Sequence, residues 1–213
     1  MALENLHRCT QAEIDQLYLE LTTIFFDDPL YTTAFPDEEK RRVCMELFFQ
    51  QYIRAIAPFC LFLADSEAMQ SVMVIYDSRR HRSVAYIWNM IKMNTHFLRF
   101  LALLGWKQSF QLLKEWDMFT SRWTKDFVAQ AYFHLDLVYT KQSAQHQGIA
   151  TYMVKELLDE AGIMDMDVTV ETHELANKKW YESLGFVLMN TIMDERQGLK
   201  QYCMLIRNQK KES

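Results

Sequence analysis

Glycine and proline are scarce in this 213-residue chain, at five and three residues. That leaves no material for a flexible hinge, and no low-complexity tract or internal repeat divides the sequence. The four cysteines, Cys9, Cys44, Cys60 and Cys203, form no C-x-x-C pair. A zinc framework and a disulfide scaffold are therefore not expected, and reduced thiols of a cytoplasmic protein are. The N-terminus lacks the apolar run of a signal peptide. The most apolar stretch, Phe97 to Trp106, is interrupted by Arg99 and is too short to span a bilayer, so no membrane association is expected. Basic charge is also lacking. A net charge of −5 argues against a nucleic-acid partner and is compatible with a cationic small molecule.

Hydrophobic residues make up 50% of the chain and charged residues 24%, an ordinary globular balance for one domain over residues 1–213. Residues 12–26 read as a helix ended at Asp27-Asp28-Pro29. Pro36-Asp37-Glu38-Glu39 opens a longer helix that runs to about Ala57. Phe59–Ala64 and Met69–Tyr76 read as paired strands, and Ser83–Trp88 as a third. Residues 91–127 are crowded with large apolar side chains whose spacing predicts two helices broken near Gly105. This aromatic stripe reads first as core; the sharper expectation is that Trp116, Phe119 or Trp123 walls a binding pocket.

The most telling segment is Gln145-His146-Gln147-Gly148-Ile149-Ala150. It follows the strand-like Tyr132–Tyr139 and precedes an apolar helical face of Ile149, Met153, Leu157 and Ala161. Gly162 is the expected helix stop. A small-residue loop at a helix start points free N–H groups and the positive dipole end at one spot, which suits a phosphate or diphosphate. The spacing fits neither G-x-x-x-x-G-K-[ST] nor G-x-G-x-x-G, so a different anion cradle is implied and no metal is expected there. A strand at Asp167–Thr172, a short helix at Asn177–Leu184 and a strand from Gly185-Phe186-Val187-Leu188 complete a compact α/β unit.

Those segments resemble the GNAT superfamily of acetyl-CoA-dependent N-acetyltransferases. Gln145-x-x-Gly148-x-Ala150 is similar to the family's [Q/R]-x-x-G-x-[G/A] loop. Glu171-Thr172 followed by Asn177-x-x-x-Tyr181-x-x-x-Gly185-Phe186 is similar to its E-T…N-x-x-x-Y-x-x-x-G-F signature. The strong likeness covers about residues 131–190, with a looser one at Asp27-Asp28-Pro29-Leu30 and Phe35-Pro36. Thr140-Lys141-Gln142 departs from the usual Val-x-Pro. The resemblance implies an α/β (α+β) fold with a mixed, mostly antiparallel central sheet flanked by helices, and a helical insertion (about 91–127) before the fourth strand.

The resemblance also implies an activity: transfer of an acetyl group from acetyl-CoA to a primary amine by direct attack. The acceptor, a small molecule or a peptide, is left open. Backbone N–H groups of Gln147, Gly148, Ile149, Ala150 and Thr151, behind Gln145, would grip the diphosphate of coenzyme A. Main-chain groups near Val138 and Thr140 would pair with the pantetheine arm, and Asn177 would reach its amide region or cap its own helix. Tyr181 would protonate the departing thiolate, and Glu171 would serve as base, with His134 and Asp136 as rivals. Strand alternation puts His134 and Asp136 on one face and Leu135 and Leu137 on the other. A non-catalytic coenzyme A-binding module, or transfer of a longer acyl chain, are the competing readings. The many aromatics also leave room for a homodimer patch.

Overall fold

The computed structural model describes residues 2–79, 84–106, 109–110, 113 and 121–208. Seven strands form one mixed sheet in the order β1-β2-β3-β4-β5-β7-β6. They are β1 (His7–Arg8), β2 (Cys60–Ala64), β3 (Ser71–Asp77), β4 (Tyr132–Thr140), β5 (Asp167–Thr172), β6 (Val187–Asp194) and β7 (Leu199–Ile206). Only β4 and β5 pair in parallel; every other neighbouring pair is antiparallel. The mixed, mostly antiparallel sheet that the resemblance implies is what forms.

Helices cover both faces. On one side lie α1 (Gln11–Ile14), α2 (Leu17–Ile24), α3 (Pro29–Ala34), α4 (Glu38–Ile56) and α5 (Val84–Leu104). Phe49, Met45 and Phe100 form the centre of that layer, each at most 1% exposed, against Val72, Val74 and Tyr139 of the sheet. On the other side, α7 (Ile149–Ile163) and α8 (Leu175–Ser183) pack on Met73, Ile75, Phe133, Leu135, Val168 and Val170. The face of α7 expected from its periodicity is the one that is buried, with Met153, Val154, Leu157 and Ala161 each fully covered. A short α6 (Thr124–Phe127) closes the chain segment before β4.

Several local expectations are corrected. The strand expected at Ser83–Trp88 is instead the start of α5 from Val84 onward, Ser83 lying outside the described residues. A short β-branched and aromatic run is ambiguous between strand and buried helix, and the apolar stretch that follows extends it as a helix. Residues 12–26 are two helices interrupted at Asp15-Gln16, with Thr10 and Glu13 forming a capping box on the first. The α7 helix runs past Gly162, and Asp165 takes the left-handed turn at φ 55°. Strands β1 and β7 had no expectation attached. The break at Gly105 is present, at φ 84°. All four cysteines are buried and none is in a disulfide. No helix among the described residues is long and apolar enough to cross a membrane.

Candidate active site

The site begins where two parallel strands part. β4 and β5 pair from Tyr132↔Asp167 to Leu135↔Val170 and no further. β4 continues along β3 to Thr140↔Ser71, and β5 continues along β7 to Thr172↔Tyr202. The backbone of residues 136–140 therefore has no β5 partner. A bulge marks the fork: the β3–β4 register steps from Val74↔Leu137 to Ile75↔Leu135, leaving Asp136 without an opposite residue. The bulge corrects the expected alternation. Leu135 packs with α7 and Leu137 packs with α4, on opposite faces of the sheet.

The fork opens into a cavity of about 180 Å³. Its polar lining includes Asp28, Asp136, Glu171, His173, Asn177 and Tyr181. Phe25, Tyr31, Phe48 and Tyr52 contribute aromatic walls. Among the described residues no lysine or arginine lines it. Asn177 is the third residue of α8, whose N-cap is Glu174, so it does not cap the helix and it faces the cavity instead. Val138 also lines the cavity. Thr140 lies further along β4, its hydroxyl 3.0 Å from that of Ser71.

Beyond β4 the chain makes a 3-10 turn at Gln142–Ala144 and enters α7 through Gly148 at φ 79°. Such a backbone suits glycine, and a Cβ there would meet nothing within 4 Å. The first helical bond is Tyr152 N–H to Gly148 O, at 2.9 Å. The N–H groups of Ile149, Ala150 and Thr151 precede that ladder and point out of the helix mouth. The glutamine side chains fold back onto the preceding turn, Gln145 Nε2 donating to Thr140 O and Gln147 Nε2 to Ser143 O, each at 3.2 Å. They leave the mouth open. A small-residue, anion-sized cradle with free amides therefore fits a diphosphate.

The carboxylates of the cavity fall into two kinds. Glu171 is held by a ring of donors. His134 Nε2 lies 3.0 Å from its Oε2, and the Trp123 indole N–H donates to Oε1. Thr169 Oγ1 donates to Phe133 O and lies 2.9 Å from His134 Nδ1. Thr169 and Glu171 thus engage both ring nitrogens of His134. Burial works against both charges, yet the pairing outweighs it: the Glu171 carboxyl is lowered and His134 is raised relative to their usual values.

Asp136 and Asp28 behave in the opposite way. Burial raises Asp136, although the nearby His134 charge and the Tyr52 hydroxyl, which donates to both its oxygens at 2.8 Å, oppose the rise. Burial pushes Asp28 up to about 6 despite the bond from Leu30 N–H to its Oδ1 at 2.8 Å, and the Glu174 charge adds to the rise. Tyr181 is raised by burial and by the Glu171 charge, which keeps its phenol protonated.

Of the residues expected from the sequence, Val138, Glu171, Asn177 and Tyr181 line the cavity, the residues of the α7 mouth are not part of its lining, and Thr140 ends the strand that leads to that mouth. Sequence reasoning missed Asp28 and Tyr52. The Asp-Pro pair reads locally as a helix break; Asp28 is the N-cap of α3, and nothing in the spacing shows that it faces a cavity. Trp123 is 3% exposed and braces Glu171 from behind rather than walling the cavity. Trp116 and Phe119 lie outside the described residues.

Residues 118–188 match the family model described as the acetyltransferase (GNAT) domain. No curated protein matches the chain. Among solved structures, a Corynebacterium glutamicum protein described as histone acetyltransferase HPA2 and related acetyltransferase is 17% identical, over 98% of each chain, with a TM-score of 0.65. Arylalkylamine N-acetyltransferase 2 of Aedes aegypti is 13% identical, over 96% of this chain and 98% of its own, at 0.56. A Drosophila melanogaster polyamine N-acetyltransferase is 11% identical, over 95% and 98%, at 0.55. A third of the chain thus matches the GNAT acetyltransferase domain model, and the chain as a whole has the fold of these neighbours.

Proposed function

We propose that this protein transfers an acetyl group from acetyl-CoA to a primary amine that arrives as a cation. The observation that carries the proposal is the fork itself. One continuous run of chain supplies an open strand edge, then a free helix mouth, with an acidic, aromatic cavity beside them. The amine acetylation named for the solved neighbours is in keeping with it.

Ile149, Ala150 and Thr151, with Gln147 and Gly148 at the loop, would hold the diphosphate of the donor through main-chain N–H groups. The open edge of β4 near Val138 and Thr140 would pair with the amide-bearing arm, and Asn177 would reach it from α8. When bound, acetyl-CoA supplies a thioester carbonyl and a thiolate leaving group. The acidic lining would draw in an ammonium group, and aromatic faces favour a cation over a neutral ligand. Burial that raises a carboxyl also lowers an ammonium, so the two approach a common proton affinity inside the cavity.

Asp28 is the base in this reading. At about 6 it is ionised at neutral pH yet basic enough to take a proton from the amine. Asp136, fixed by Tyr52, would orient the cation. Glu171 was the base expected by resemblance, but its ion pair depresses its proton affinity, and its role here is that of a fixed charge beside Tyr181. Once the amine attacks the thioester carbon, main-chain N–H groups of β4 would meet the charge on the carbonyl oxygen, an effect of about 3 kcal/mol per donor. Tyr181 would give its proton to the sulfur as the carbon–sulfur bond breaks.

The test is calorimetry with acetyl-CoA followed by a free-thiol assay over a panel of primary amines. Binding with amine-dependent thiol release is expected. Binding with no release from any amine would leave a coenzyme A-binding module, and no binding would remove the donor assignment.

A further inference from the structure

Trp180 precedes the proposed acid on α8, and its indole makes a contact that neither the grip nor the acid accounts for. Nε1 donates to Thr151 Oγ1 at 3.1 Å, joining α8 to the first turn of α7 across 29 residues of sequence. The same indole packs against Tyr181, with ring centroids 4.6 Å apart, and Tyr181 meets Phe186 edge-on at 5.3 Å. An indole nitrogen can only donate. The direction of the bond is therefore fixed: Thr151 accepts, and its own hydroxyl hydrogen stays available to another acceptor. Thr151 is the third residue of α7, and its N–H already precedes the helical ladder.

We infer that Trp180 is a positioning residue for the donor. By occupying one lone pair of the Thr151 hydroxyl, it steers the remaining hydrogen toward the diphosphate at the α7 mouth. It also ties that turn to the helix bearing Tyr181, so the grip on the donor and the proton source keep a fixed spacing. The inference rests on the donor reading above and adds a side-chain ligand, Thr151 Oγ1, to its main-chain amides. The link has a cost in sequence freedom: phenylalanine could fill the same space beside Tyr181 but could not donate.

The test is a double-mutant cycle on the full chain, read by calorimetry with coenzyme A and with 3′-dephospho-coenzyme A, which keeps the diphosphate. Trp180→Phe is expected to weaken both ligands three- to tenfold, and Thr151→Val by a similar factor or more. The double variant is expected to bind no more weakly than Thr151→Val alone, because the two residues act through one contact. Thr151→Ser should bind like wild type. In turnover, Trp180→Phe should raise the KM for acetyl-CoA and leave the acceptor KM unchanged. A lowered melting temperature with unchanged affinity in Trp180→Phe would show packing alone and overturn the inference, as would effects that multiply in the double variant. Should Trp180→Phe not fold, unchanged affinity in Thr151→Val overturns it by itself. Normal wild-type binding alongside either result keeps the donor reading intact, whereas a wild type that binds neither ligand sinks both.

Discussion

On the β5 wall of the cavity, Glu171 is locked to His134, Trp123 and their neighbours, and its proton affinity is depressed. On the facing walls, Asp28 and Asp136 are half-buried without a full counter-charge and are raised. Among the described residues three carboxylates line one cavity, and their surroundings divide them into one whose proton affinity is depressed and two whose proton affinity is raised. The difference teaches that a carboxylate at the family position is not by that fact the base.

Substitutions should separate the walls. The largest expected effect is on Asp28→Asn, which should lower kcat/KM by about 10²–10³-fold in the thiol-release assay. Glu171→Gln, assayed below its melting temperature, should lose less than this per folded molecule. Stability should reverse the order. Glu171→Gln takes from buried His134 the carboxylate it pairs with and should cost about 3–5 kcal/mol in urea unfolding at pH 7.

The linkage has opposite signs on the two walls. Glu171 is lowered, so its contribution is present above its unfolded value and lost as pH falls through its folded one. His134 is raised, so its contribution is present below its unfolded value and lost as pH rises through its folded one. The pair thus stabilises between those two limits. Asp28 is raised, so the stability it contributes is present below its ordinary value of 3.8 and lost as pH rises through about 6. At pH 7 to 8 the ionised Asp28 is a burden, and Asp28→Asn, which keeps the helix cap, should gain stability, by at most about 3 kcal/mol. One substitution that removes turnover and raises the melting temperature would mark Asp28 as functional.

Tyr181→Phe should lower kcat by about 10–100-fold and leave the Kd for acetyl-CoA unchanged, since the phenol acts after the donor is held. The smallest effect is at the helix mouth. Gly148→Ala meets open space but must hold φ 79°, so a loss of about 1–2 kcal/mol is expected in the same unfolding measurement.

The half of the molecule proposed to hold the donor was legible because its features are local. A strand, a glycine-started helix and a Tyr at fixed spacing all lie within residues 131–190, and periodicity shows which face of α7 is buried. The half proposed to take the acceptor was not, because it is assembled from distant segments. Asp28 meets Asp136 and Tyr52 only after α3, α4 and β4 pack, and Asp28 has a sufficient local role as a cap. The bulge at Asp136 leaves no mark in the residues themselves, so simple alternation put Leu135 and Leu137 on one face. His134 and Glu171 were each visible as candidates, but the pairing that converts a base into a fixed anion depends on the strand register. Strand β7 carries Gln201 at 2% exposure and Lys200 in the open, a mixed pattern with no clean period.

The most direct measurement is kcat/KM against pH for wild type, Asp28→Asn and Glu171→Gln. An acid limb with an apparent pKa near 6 is expected in wild type and in Glu171→Gln, and its absence is expected in Asp28→Asn. A limb that disappears with Glu171→Gln and persists in Asp28→Asn would contradict the account.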